Sequence, residues 1–159
     1  MQLLDRLLAH DQWATSQLLA AARPLSDDQL NQEFDIGHRT LRATLEHMIM
    51  NVEGWTAAFT GQESISTDAS IAGFAERHIR VYPAFTAAAQ AFASAERLDE
   101  TFTDSFGEPQ TFGAAFLMVI LHNEGHRTEV LHILRRLGLD DVPEVDYGLW
   151  DFVRRGLAT

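Results

Sequence analysis

The feature that most constrains the fold is an apolar repeat between residues 71 and 92, whose spacing alternates between three and four residues. Its members are Ile71, Phe74, His78, Val81, Phe85, Ala88 and Phe92. This spacing places every member on one face of an α-helix and is typical of helices that pack in a bundle. Pro83 lies inside the segment and should kink or weaken that turn, because proline has no N–H to donate.

Similar patterns predict three further long helices, over residues 2–22, 40–60 and 111–138. Ser70 or Asp68, at the end of the polar loop ESISTDAS, should cap the helix that carries the repeat. DETFTDSFGEPQTF alternates in polarity and turns at Gly107, which predicts a short hairpin or an extended loop. YGLWDFVRRG predicts a short terminal helix. We therefore expect an all-α fold, a four-helix bundle with short accessory helices, forming a single domain over residues 1–159.

The composition excludes several classes of protein. The net charge is −11 and the chain has no basic stripe, so we expect no nucleic-acid partner. The longest apolar run, from Ala114 to Leu121, is much shorter than a membrane span, and the N-terminus lacks a basic leader, so we expect a cytoplasmic protein that does not bind membranes. The chain has no cysteine, so any thiol chemistry needs a second molecule to supply the sulfur.

The segment LHNEGHRTEVLHILRRLG contains the best candidate for chemistry, the pair His122 and His126. Residues four apart lie about 40° apart on a helix and one turn along it, so both imidazoles can bind one divalent ion. Both continue an apolar stripe that should face the bundle interior. Gly125 leaves room beside them, and Glu129 shares their face as a general base, substrate contact or extra ligand.

Spacing alone does not identify a third ligand. The pair itself could be two buried, hydrogen-bonded histidines, and catalytic zinc usually has three protein ligands. His47 lies on a small polar helix face, whereas His78 interrupts the apolar repeat as core histidines do. His10, His38 and His132 are predicted to be surface or second-layer residues. Asp11 is expected at the edge of an apolar stripe, solvated or capping, with an alternative role as acceptor for a ligand imidazole.

Three segments together resemble the DinB family, the DinB/YfiT-like metalloenzymes. They are HDQWATSQLLAA, RTLRATLEHMIMNVEGW and LHNEGHRTEVLHILRRLG, and the resemblance covers residues 1 to about 155. It implies a four-helix bundle that holds a divalent metal ion through three histidines. One is on the second long helix and the other two form an H-x-x-x-H pair on the last. In this chain those positions are His47, His122 and His126.

The resemblance also implies a homodimer and a small-molecule substrate. Three nitrogen ligands suit zinc, nickel, copper or iron, and we expect zinc or nickel. Several members of the family resemble S-transferases that use a low-molecular-weight thiol, and this is the first hypothesis for function. A metal-dependent hydrolase, in which Glu129 takes a proton from water, is the second. A non-enzymatic, metal-stabilised stress-response bundle is the third.

Overall fold

The structure, a computed structural model, describes residues 1–61, 67–104 and 107–157. Most of these residues are helical, as the sequence predicts. The elements, in chain order, are α1 (Leu3–Ala22), α2 (Asp27–Asn31), α3 (Leu41–Thr60), α4 (Ile71–Ser94), β1 (Thr101–Thr103), β2 (Pro109–Thr111), α5 (Phe112–Arg136) and α6 (Tyr147–Arg154).

Side-chain caps set the starts of the three long helices that follow α1. The side chains of Thr40, Ser70 and Thr111 each accept a hydrogen bond from the backbone N–H three residues later. Ser70 is therefore the cap predicted for α4, although residues 62–66, which include part of the ESISTDAS loop, lie outside the described ranges. Gly61 ends α3 with a φ of 70°, a conformation that glycine adopts without strain. Pro83 lies inside α4, and the helix continues on both sides of it.

The four long helices pack as a bundle in which α3 and α1 each contact both α4 and α5. The apolar repeat of α4 supplies part of the core, since Ile71, Phe74, Val81 and Phe85 are all buried. Within the described ranges, no helix has the length and apolar composition needed to cross a membrane.

The hairpin predicted before the last long helix is present. β1 and β2 pair antiparallel, with Phe102 opposite Gln110, while residues 105–106 lie outside the described ranges. The Phe102 ring stacks on Phe112 with centroids 4.6 Å apart, and it also meets Trp55 of α3 edge-on at 6.4 Å. The hairpin is thus fixed against α3 and the start of α5 by aromatic contacts.

A buried polar cluster joins α1, α4 and α5. Asp11 is fully buried and accepts hydrogen bonds from Tyr82 Oη, from Asn123 Nδ2 at 3.1 Å, and from the Arg127 guanidinium, with which it forms an ion pair. Arg127 also pairs with Glu124. Both expectations for Asp11, a solvated or capping residue and an acceptor for a ligand imidazole, are wrong, because its partners come from other positions in the core.

A second buried ion pair joins α3 to α4. The Arg77 guanidinium donates to Glu53 from Nε at 3.0 Å and from Nη2 at 2.6 Å. Two parallel bonds fix the planar guanidinium against the carboxylate in one orientation. Together the two ion pairs fix α5 and α3, the helices that carry the candidate ligands, against the rest of the bundle.

Candidate metal centre

Three imidazoles converge between α3 and α5. The Nε2 atom of His122 lies 2.8 Å from Nε2 of His47 and 3.0 Å from Nε2 of His126. The four-residue spacing on α5 places His122 and His126 one turn apart on the same face. Because α3 packs against α5, His47 meets this pair from the neighbouring helix. The structure therefore brings together the three histidines that the family resemblance implies.

Partial burial keeps two of these imidazoles neutral. Desolvation, followed by repulsion from His38 and the other two imidazoles, lowers the pKa of His47 to about 4. Desolvation also lowers the pKa of His122, with repulsion from His126 as the second cause. Neutral imidazoles are the form that binds a metal ion, because protonation occupies the ligand lone pair.

Glu129 lies behind His126 and fixes the direction of its ring. The Nδ1 atom of His126 donates to Oε2 of Glu129 at 2.6 Å, which leaves the Nε2 lone pair pointing towards His47 and His122. Gly37, with a φ of 53°, comes so close that a Cβ atom there would lie 2.9 Å from Cδ of Glu129. The Gly37 segment therefore confines the carboxylate, and a side chain at this position would displace it.

A fourth imidazole, His38, lies at the exposed edge of the cluster. Its ring centroid is 4.0 Å from that of His47 and 5.2 Å from that of His126. One nitrogen of each of these three residues lies within 4.8 Å of the others, so they too could hold an ion. The shorter distances around His122 favour His47, His122 and His126 as the primary set. Helical periodicity could not reveal His38, because it lies in the turn before α3.

The three Nε2 atoms fit a divalent metal ion. Zinc binds histidine nitrogen at about 2.05 Å, so two nitrogen ligands of a tetrahedral site lie about 3.3 Å apart. The observed separations of 2.8 and 3.0 Å are close to this value. Because the single N–H of neutral His126 is Nδ1–H, which donates to Glu129, its Nε2 atom can only accept a hydrogen bond. The Nε2 atom of His122 lies near Nε2 of both His47 and His126, and a single Nε2–H can donate to only one of them. A cation, in contrast, can accept all three lone pairs at once.

The remaining histidines lie away from this cluster. His78 is buried in the core as expected and donates from Nε2 to the carbonyl of Gln12 at 3.0 Å. His132 is exposed on α5. His10 differs from the prediction of a surface or second-layer residue, because it is buried and hydrogen-bonds the Val145 carbonyl at 2.9 Å. Its ring packs against Trp13 and Trp150, which explains the burial.

Comparison with known proteins identifies relatives of this fold. The model of the DinB family matches residues 1–153. A crystal structure of a DinB-like protein from Bacillus cereus superposes with a TM-score of 0.68, at 26% sequence identity, and the match covers 87% of this chain and 92% of that one. Among curated proteins, none matches this chain.

Proposed function

Because this chain belongs to the DinB family, we propose that it binds one divalent metal ion and transfers a low-molecular-weight thiol to a small electrophilic substrate. The ligands are His47, His122 and His126, and the metal is zinc or nickel. The observation that carries the proposal is the convergence of their three Nε2 atoms from two helices.

A divalent ion held by three neutral imidazoles keeps its full charge and would supply Lewis acidity, which lowers the pKa of a coordinated thiol or water. The sulfur of the thiol forms a bond to the electrophilic carbon, and the leaving group departs with the electron pair of the bond that breaks. The thiol proton passes to solvent. The absence of cysteine in the chain means that the sulfur comes from the second molecule.

The position of Glu129 favours transfer over hydrolysis. Hydrolysis needs a base that takes a proton from water, and Glu129 was the candidate for this role. Its Oε2 atom instead accepts the hydrogen bond from His126 Nδ1. We assign Glu129 a positioning role, in which it orients the imidazole of His126 and fixes which ring nitrogen carries the proton.

Elemental analysis of purified protein tests the metal site. We expect one ion per chain in the wild type and loss of that ion in His122→Ala. His132→Ala is the matched control, because it removes an exposed histidine from the same helix. Equal metal content in all three proteins would overturn the proposal. His38→Ala should reduce affinity less than His122→Ala, since His38 lies at the exposed edge.

Turnover assays distinguish the two reactions. The zinc-loaded protein is incubated with iodoacetamide, with and without L-cysteine, and with 4-nitrophenyl acetate. We expect conjugation of cysteine that depends on the metal and on His122. Hydrolysis of the ester without a thiol, with no conjugation, would support a hydrolase instead.

The homodimer that the family resemblance implies and the cytoplasmic location expected from the sequence remain part of this proposal. Sedimentation equilibrium should give a mass of about twice the 17.8 kDa of one chain. A single-chain mass at micromolar concentration would contradict the dimer, and it would leave the metal site intact because all three ligands come from one chain.

A further inference from the structure

A groove runs along α3, between this helix and the hairpin strand β1. Its cavity volume is about 360 Å³, which is at the small end of the range for small-molecule sites. Residues that line it include Met50, Asn51, Gly54, Trp55, Phe102 and Asp104. Asn51 lies one helical turn after His47, so the groove begins about 6 Å along the helix from a candidate ligand.

Gly54 keeps this groove open. A glycine inside a helix lowers helix stability by about 1 kcal/mol relative to alanine, so it usually occurs where a larger side chain would not fit. A Cβ atom at Gly54, however, would meet no atom within 4 Å among the described residues. Close packing therefore does not explain the glycine. Because Gly54 lines the groove, a larger side chain at this position would project into it.

Two aromatic side chains, Trp55 and Phe102, and the acidic Asp104 are among the residues that line the groove. Trp55 lies in contact with Phe59 and Phe102, with centroids 5.6 and 6.4 Å away. A flat ring entering the groove would extend this aromatic cluster. Asp104 lies at the hairpin side and accepts from the Glu108 backbone N–H at 3.0 Å, and its negative charge disfavours an anionic ligand.

Asn51 adds a polar contact. Its Nδ2 atom is buried and has no hydrogen-bond partner within the described part of the chain. A buried donor without an acceptor is unfavourable, so an acceptor on a ligand would stabilise the bound state. Asn51 lines the groove and lies four residues after His47, so the two side chains share one face of α3.

We propose that this groove binds the aromatic part of the substrate, a neutral single-ring electrophile with a hydrogen-bond acceptor. The inference rests on the proposed function, because it assigns the groove to the substrate of the histidine site. The ring lies along Trp55 and Phe102, the acceptor meets Asn51, and the electrophilic carbon points towards His47. In a transfer to such a compound, the thiol sulfur replaces the leaving group, which departs with its bonding electrons.

Binding of 4-nitrobenzyl alcohol, an unreactive compound of this class, tests the groove without any turnover. Quenching of tryptophan fluorescence should report saturable binding to the wild type. Gly54→Leu should weaken it by at least about tenfold, because the side chain fills the cavity. Ala87→Leu, at an exposed position on α4, is the matched control and should bind like the wild type. Absence of saturable binding, or equal affinity of Gly54→Leu, would overturn the inference.

A ligand comparison tests the role of Asn51. The wild type should prefer 4-nitrobenzyl alcohol to benzyl alcohol by about two- to tenfold, the value of one hydrogen bond. Asn51→Ala should lose this preference while still binding benzyl alcohol, and an unchanged preference would contradict the assigned donor. The titrations are repeated on His122→Ala without metal. If His122→Ala binds the ligand and the purified wild type contains no metal, the metal-dependent transfer is refuted, whereas the assignment of the groove as a binding site stands.

Discussion

Replacing Asp11 with alanine should cost much of the stability of this protein. The carboxylate is fully buried and accepts hydrogen bonds from Tyr82, Asn123 and Arg127. Arg127 is only 2% exposed, so its charge would stay in the core with Glu124 as its one remaining carboxylate partner among the described residues. Removing one member of a buried ion pair typically costs about 3–5 kcal/mol.

This magnitude can be converted into a melting temperature. For a chain of this length, 1 kcal/mol corresponds to about 2–4 °C, so Asp11→Ala should lower Tm by about 6–20 °C. Urea unfolding followed by circular dichroism measures the free energy directly. The slope of the transition should stay the same, since the substitution does not change the surface exposed on unfolding.

A matched control separates burial from charge. Asp35→Ala removes a carboxylate that pairs with Arg136 at 3.0 Å, but the side chains are 92% and 51% exposed. Water screens such a pair, so this variant should unfold close to the wild-type midpoint. If Asp11→Ala loses no more stability than Asp35→Ala, the reasoning from buried charge is refuted.

Three further predictions concern the site and its helices. Glu129→Gln should weaken zinc binding by about 10- to 100-fold, because the orienting carboxylate of His126 is lost; competition with a chromophoric chelator measures this, and unchanged affinity would remove the positioning role. Gly125→Ala should raise the free energy of unfolding by up to about 1 kcal/mol, since the added Cβ meets no described atom within 4 Å; a lower urea midpoint would show a hidden contact. Burial lowers the pKa of His78, so the folded state binds its proton less readily than the unfolded chain. The free energy of unfolding of the metal-free protein should therefore fall as the pH drops below about 6.5. In urea titrations at pH 5 to 7, the free energy of unfolding of His78→Leu should fall less steeply than that of the wild type.

The sequence was sufficient to predict the helices because their signals are local. The repeat from Ile71 to Phe92 defines a helix by its own spacing, and Ser70 caps it through a contact three residues away. The same applies to His122 and His126, whose common face follows from their separation along one helix. His47 lies 75 positions from His122, so spacing left it open and only the family resemblance pointed to it.

Long-range contacts explain what the sequence did not reveal. His38 reaches the cluster through a turn whose path no periodicity defines. Asp11 is 116 positions from Arg127, and neither residue shows from its neighbours that it has a buried partner. The groove likewise depends on the hairpin, which packs Phe102 beside Trp55. Trp55 is on α3 and Phe102 is on β1, and nothing in the periodicity of either segment indicates that they meet.

The Asp11–Arg127 pair also restricts how relatives of this chain can diverge. Replacing only one of the two residues leaves an unpaired charge in the core. Replacing both by apolar side chains of similar volume often leaves the stability unchanged. A lineage can therefore leave this arrangement only through a double change or after prior stabilisation elsewhere. Related sequences should accordingly carry both residues or neither, and chains with one alone should be rare.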